Sequence, residues 1–313
     1  MKRILLDTDP GVDDALAFLL TFSSPEIEVE AVTTVDGNVD VEKETRNARQ
    51  LLEFLGRSDI PVARGAEHPM LRQMTHAESF HGKTGLMDVV LPEPKMKLDR
   101  RSAAQLIIDE ANRLGKELTI VAIGPLTNVA AAILTDPTIP EKVRGLVIMG
   151  GAFCLTPYGS GNANAVAEFN IWHDPDAAKI VFDCGIPITC IGLDTTTHPD
   201  YRMSKAMYEE MTTKKTKRSK LIEGLCGALV ERYDGVSIHD PMALAYVADP
   251  TMFKTEKYRV EVETVGTQTV GMTVVDRRRF HRQTNIEAKH EIVIEVDASR
   301  FFKMIRDRVG KGD

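Results

Sequence analysis

Five short apolar runs alternating with helical stretches constrain this chain most. Residues 4–6 read as a buried strand, followed by a helix over 13–22 that ends at Ser23-Ser24-Pro25. Residues 29–35 read as a strand, and 41–55 as a helix closed by Gly56. A helix over 102–114, closed by Gly115, leads into a strand over 118–123, then Gly124-Pro125 and a helix over 126–134. Residues 146–149 form a strand ended by Gly150-Gly151, and a helix over 176–184 leads into a strand over 188–191. Short strands alternating with helices of this length imply βαβ units and an open, mostly parallel sheet flanked by helices, a Rossmann-like α/β core. Residues 155–164, rich in Gly, Asn, Ser and Pro, read as a loop, and 201–233 as mainly helical. Residues 258–296 alternate like antiparallel strands, a small addition near a helical C-terminus. With no repeat and no linker, residues 1–313 are expected to form a single domain.

Ligands bind such a sheet beyond the carboxyl ends of its strands, and there this chain places its oddest segment. Asp7-Thr8-Asp9-Pro10-Gly11-Val12-Asp13-Asp14 follows the first strand directly. Four carboxylates this close repel one another, and a compact site holds them ionised only around a cation. Hard oxygen donors in that number suit Ca²⁺ or Mg²⁺. Asp7 and Asp9 lie two apart and face the same way on an extended strand, while Asp13 and Asp14 open a helix whose dipole favours anions. Helix capping alone needs fewer acids. An EF-hand is excluded, because Val12 and Phe18 stand where its glycine and closing glutamate belong. Asp-x-Asp after a first strand also occurs in haloacid-dehalogenase-type phosphatases, which keeps a Mg²⁺-dependent phosphohydrolase open. Pro10, however, intervenes where those proteins continue with Gly-Thr or Gly-Val.

Three further constellations carry chemistry. In His239-Asp240-Pro241, the proline disfavours a helical Asp240 and is expected to begin a helix over 242–247. Asp240 then offers a distant carboxylate to a metal, and His239 a proton near neutral pH. Ala167-Glu168-Phe169-Asn170-Ile171-Trp172 sets polar groups around an aromatic ring, as sugar recognition requires, though a buried turn would also explain it. His81-Gly82-Lys83-Thr84-Gly85 is a glycine-hinged loop.

The net charge of −7 argues against a nucleic-acid partner. The basic runs at 214–218 and 277–279 read as solvated charge. Cys154, Cys184, Cys190 and Cys226 have no metal spacing and suit free thiols in a reducing cytoplasm. The apolar run after Met1-Lys2-Arg3 is too short for a signal peptide, and no stretch is long enough to span a membrane.

Together these segments resemble the inosine–uridine-preferring nucleoside hydrolase family. Asp-Thr-Asp-Pro-Gly-Val-Asp-Asp-Ala at 7–15 matches its N-terminal signature, and further blocks match in order: Asp36-Gly37-Asn38, His81-Gly82, Gly124-Pro125-Leu126-Thr127-Asn128, Met149-Gly150-Gly151, Ala167-Glu168-Phe169-Asn170 and His239-Asp240-Pro241. The resemblance covers nearly the whole chain. It implies the nucleoside hydrolase fold and hydrolysis of ribonucleosides to free base and ribose for salvage, with one Ca²⁺ and a homodimer or homotetramer. Carried over, Asp9, Asp14, Asp240 and the carbonyl of Ile123 would hold the metal, with Asp7 orienting them from behind. Asp9 would be the general base on water and His239 the acid for the leaving base. Asp13, Asn38, Asn162, Glu168 and Asn170 would bind ribose, with Met149 and Phe169 packing at the sugar and His81 recognising the base. His239 favours the inosine–uridine or pyrimidine-preferring groups over those with tryptophan there; Trp172 sits elsewhere, and Tyr233 is an aromatic contact for the base. A non-catalytic nucleoside-binding protein is the remaining alternative.

Overall fold

A computed structural model describes residues 1–87, 89–278 and 288–310. Arg279 of the second basic run, and residues 279–287 of the segment expected to alternate as strands, lie outside the described residues.

Eight strands form the main sheet: β1 (Lys2–Thr8), β2 (Ile27–Thr34), β3 (Val62–Arg64), β4 (Leu118–Ala122), β5 (Gly145–Met149), β6 (Ile188–Ile191), β7 (Phe253–Tyr258) and β8 (His290–Val296). Their order is β3-β2-β1-β4-β5-β6-β8-β7, parallel throughout except β7, which runs antiparallel to β8. All five expected strands are present. Two small antiparallel pairs stand apart, Val260–Val262 with Thr273–Val275 and Met203–Ser204 with Gly235–Val236.

The strand period of two sends successive residues to opposite faces, and both faces are covered, which is why these runs are mostly apolar. Ile4 and Leu6 join one core with α1 (Val12–Phe22) and α2 (Val41–Phe54). Leu5 joins the other with α3 (Ala103–Leu114), α4 (Thr127–Thr135) and α5 (Pro175–Asp183). The first core also takes in α6 (Lys217–Tyr233) and α7 (His239–Ala248). Local chemistry sets several ends: Asp40 and Ser102 accept the amides of Lys43 and Gln105 and so cap α2 and α3.

One expected boundary fails. α7 begins at His239, not at Met242, and Asp240 is helical despite preceding proline. The first four helical amides have no acceptor within their helix, so Pro241 at the third position forfeits no bond. His239 and Asp240 therefore sit in one rigid turn. In the basic run at 214–218, Lys214, Lys215 and Lys217 are exposed, as expected of solvated charge; Lys215 also pairs with Glu223, Thr216 caps α6, and Arg218 donates to Ser23 and to the Arg308 carbonyl.

The chain turns left from β1 to β2 and β3, and right to β4, β5 and β6. The order therefore reverses between β1 and β4, and the crevice past their carboxyl ends is where an open α/β sheet takes its ligand. The segments 9–14 and 123–128 both emerge there.

Candidate active site

A cavity of about 360 Å³ opens at that crevice. Of the residues expected from sequence, Asp9, Asp13, Asn38, His81, Ile123, Met149, Asn162, Glu168, Phe169, Asn170, His239 and Asp240 line it. Asp7 and Asp14 are fully buried and do not line it.

The floor is acidic. Carboxylate oxygens of Asp13, Asp14 and Asp240 come within 4.8 Å of one another. Asp14 Oδ1 accepts the Thr8 hydroxyl at 2.6 Å, and its Oδ2 accepts the Gly11 amide at 2.9 Å. Asp9 lies beside this trio rather than in it. Its Oδ2 accepts the Asn38 amide at 3.0 Å, while its Oδ1 is buried with no partner among the described residues. Close packing explains two glycines: a Cβ on Gly37 would fall 2.1 Å from Asp9 Oδ2, and one on Gly124 2.6 Å from Asp9 Oδ1. Asp7 stands behind, its Oδ1 accepting Thr33 at 2.6 Å and Asn128 at 2.8 Å.

Burial and mutual repulsion govern the charge state of these acids. Desolvation pushes Asp7 up to about 7. Desolvation and the neighbouring Asp13 carboxylate do the same to Asp14. Asp9 and Asp240 are raised well above the carboxylate range, first by burial and then by the other acids. A cation reverses that cost. The all-oxygen donor set, the clustered carboxylates and the orphaned Asp9 Oδ1 fit a hard divalent ion.

The walls are polar but largely self-satisfied. Asn38 Nδ2 donates to the Asp9 carbonyl at 2.8 Å. Asn170 Nδ2 donates to the carbonyls of Ile123 at 3.0 Å and Met149 at 3.1 Å. Asn162 Oδ1 accepts the Phe169 amide. Glu168 caps the short helix Phe169–His173, taking the amides of Gly151, Asn170 and Ile171. Each carboxylate or amide is thus fixed before any ligand arrives, which reduces the entropy lost on binding.

Two histidines line the same cavity. His81 Nδ1 accepts the Val12 amide at 3.0 Å, which puts its proton on Nε2. Burial lowers its pKa to about 4, so it serves as a neutral N–H donor at physiological pH. His239 Nδ1 contacts the Thr196 hydroxyl at 2.8 Å. Burial lowers its pKa too, with Asp13 opposing and Arg202 reinforcing. Phe80, Ser237 and His239 also border an annexe of about 220 Å³, together with Arg202, Leu229 and Tyr233.

Sequence reasoning missed several residues here. Glu44 is fully buried on α2, its Oε1 accepting the Val39 amide at 2.7 Å and its Oε2 without a partner among the described residues. Burial and the nearby Asp14 hold its pKa well above the usual range. Asp36 is buried between His76 at 3.0 Å and His173 at 3.1 Å, tying the entrance segment to the short helix behind Phe169. Glu44 lies in a run of charged residues with nothing to mark it as the inward one. Because burial and the nearby Asp14 favour the neutral form of Glu44, Glu44→Gln is expected to change stability by less than about 1 kcal/mol. Glu44→Ala strands the Val39 amide and should cost about 1–3 kcal/mol, read by urea unfolding at pH 7.

Comparison with known proteins points one way. The sequence profile of the family described as inosine-uridine preferring nucleoside hydrolase matches residues 4–303. The chain is 39% identical over 311 residues to the inosine-uridine preferring nucleoside hydrolase of Leishmania major, covering 98% of this chain and 96% of the relative. It is 37% identical over 313 residues to the pyrimidine-specific ribonucleoside hydrolase RihA of Escherichia coli O9:H4 (strain HS), covering 98% and 97%. Its structure is similar to that of a purine-preferring ribonucleoside hydrolase from Gardnerella vaginalis, with a TM-score of 0.89, 32% identity and coverage of 99% and 98%. With this site at the switch point of this sheet, the chain belongs to the inosine–uridine-preferring nucleoside hydrolase family, enzymes that hydrolyse the N-glycosidic bond of ribonucleosides.

Proposed function

We propose that this chain is a Ca²⁺-dependent hydrolase of inosine- and uridine-type ribonucleosides, releasing free base and ribose for salvage. The observation that carries the reading is one cavity lined by Asp9, Asp13 and Asp240 together with His81 and His239. Asp9, through its unpartnered Oδ1, with Asp14, Asp240 and the Ile123 carbonyl, would hold the ion. Ca²⁺ is favoured over Mg²⁺ because its coordination is irregular and tolerates a main-chain carbonyl among carboxylates. When bound, the ion supplies a template for water and the ribose hydroxyls and lowers the pKa of that water.

The residues divide the remaining work. Asp9 takes the proton of the attacking water. Asp13, Asn38, Asn162, Glu168 and Asn170 hold the ribose, with Met149 and Phe169 against the sugar and Asp7 orienting the floor. Breaking the C1′–N bond leaves cationic character on the ribosyl carbon, which the surrounding anions stabilise. His81 donates a hydrogen bond to the base. His239, in the form that has taken a proton from solvent, passes it to the base, and the Thr196 hydroxyl orients the ring for that task. The sheet takes strands from residue 2 through residue 296, which supports one domain. The free cysteines support a reducing, cytoplasmic setting. Among the described residues no helix is long and apolar enough to cross a membrane. A homodimer or homotetramer rests on family analogy.

Purified protein should release base from inosine or uridine with Ca²⁺, lose that activity in EDTA and regain it on adding Ca²⁺. No turnover of any ribonucleoside would sink the proposal. His239→Ala should slow uridine by about 10²–10⁴-fold yet leave p-nitrophenyl riboside near wild type, because that leaving group departs unprotonated. Equal losses on both substrates would remove His239 as the acid.

A further inference from the structure

Arg202 borders the same annexe as His239, the residue proposed to protonate the departing base. It lines the 220 Å³ annexe with Phe80, Leu229, Tyr233, Ser237 and His239, but does not line the main cavity. The acids of the floor line the main cavity and not the annexe, while Phe80, Ser237 and His239 border both. Arg202 therefore borders a cavity that adjoins the main one along Phe80, Ser237 and His239 and is not lined by the acids of the floor. Its Nη2 donates to the carbonyls of Tyr233 at 3.2 Å and Gly235 at 3.0 Å. Among the described residues these are its hydrogen bonds, and they leave Nε and Nη1 as free donors. Tyr233 and Phe80 supply apolar faces for a planar ring beside it.

We infer that Arg202 selects bases carrying an oxo group at the atom farthest from the glycosidic nitrogen. The inference rests on the proposed nucleoside hydrolysis and deepens it. An arginine offers donors and no acceptor. It matches the O4 of uracil or the O6 of hypoxanthine, and it opposes the amino group that cytosine or adenine carries at the same place. A site built to bond one group rejects an analogue that leaves its buried donors facing donors. The same contact acts during the reaction. Water adds its oxygen to C1′, the C1′–N electron pair stays with the base, and a proton from the acid completes the free base. Until that proton arrives, the negative charge is shared with the distal oxygen, and a guanidinium facing it stabilises that charge. Arg202 would thus assist cleavage as well as selection.

The test is kcat/KM for uridine, cytidine, inosine and adenosine on wild-type enzyme, Arg202→Met and Arg202→Lys. Wild type is expected to prefer uridine over cytidine, and inosine over adenosine, by at least about tenfold, the worth of one charge-assisted hydrogen bond. Arg202→Met should reduce both ratios about tenfold, chiefly through the oxo substrates, and Arg202→Lys should restore part of them. A mere tether of the Tyr233–Gly235 segment would lower all four substrates by one factor, which would overturn the assignment. A wild-type enzyme that does not distinguish oxo from amino bases overturns it without any variant. Wild-type protein that cleaves none of the four overturns the nucleoside hydrolase reading itself, and this inference with it.

Discussion

Asp9→Ala is expected to lower kcat for uridine by about 10²–10⁴-fold, the range that a positioned general base contributes. Asp9→Asn should do the same, because it keeps an acceptor for the Asn38 amide but cannot take a proton. Neither loss should arise from unfolding. Asp9 is buried among Asp14, Glu44 and Asp13, and one of its oxygens has no partner among the described residues. Replacing the carboxyl by an amide removes the burial cost and the repulsion that raise its pKa in the metal-free protein. In EDTA, calorimetry of Asp9→Asn should give a Tm equal to or above that of wild type, although the enzyme is inactive with saturating Ca²⁺. Wild-type turnover in Asp9→Asn would refute its role as base, and a large drop in Tm would recast the activity loss as structural.

Metal removal should make stability depend on pH in an unusual direction. The folded pKa values of Asp7 and Asp14, about 7, lie above the ordinary aspartate value, and those of Asp9, Asp240 and Glu44 are raised as well. The metal-free folded state thus binds more protons than the unfolded chain above pH 4, and stability falls as pH rises. Buried histidines act oppositely, but only below about 6.5, where an ordinary histidine still takes a proton. Between pH 6.5 and 8 the acids act alone. Each extra proton held by the folded state costs about 1.4 kcal/mol per pH unit, so EDTA-treated protein should melt several degrees lower at pH 8 than at 6.5. With Ca²⁺ the carboxylates are already ionised against the cation, and this slope should vanish. The Ca²⁺-induced rise in Tm therefore grows with pH. Equal melting temperatures at the two pH values in EDTA, or no shift on adding Ca²⁺, would contradict a cation site on this floor.

What the sequence revealed follows from how local each cause is. The strands of the first half show as mostly apolar runs because both their faces are covered, and helix ends show through Ser102, Gly56 and Gly115. The start of α7 did not show, since the rule that bars helix before proline yields where the amide had no partner to lose. The acid cluster was visible as a cluster, but not the internal arrangement that sets Asp13 with Asp14 and Asp240 and leaves Asp9 alongside. That depends on Gly37 and Gly124 pressing on Asp9 from two loops distant in sequence. Glu44, the His76–Asp36–His173 chain and Arg202 were hidden for the same reason: each earns its place through partners that only the folded chain brings near.

The shared first turn of α7 has a consequence for how such an enzyme can diversify. His239 and Asp240 are successive residues of one helix, so whatever shifts the histidine proposed to face the base also shifts a carboxylate of the floor. Enlarging the base end by moving that helix would disturb the water-activating end. New base preferences are therefore more accessible through Phe80, Arg202, Leu229 and Tyr233, which border the annexe from other elements and can be exchanged one at a time while the floor stays intact.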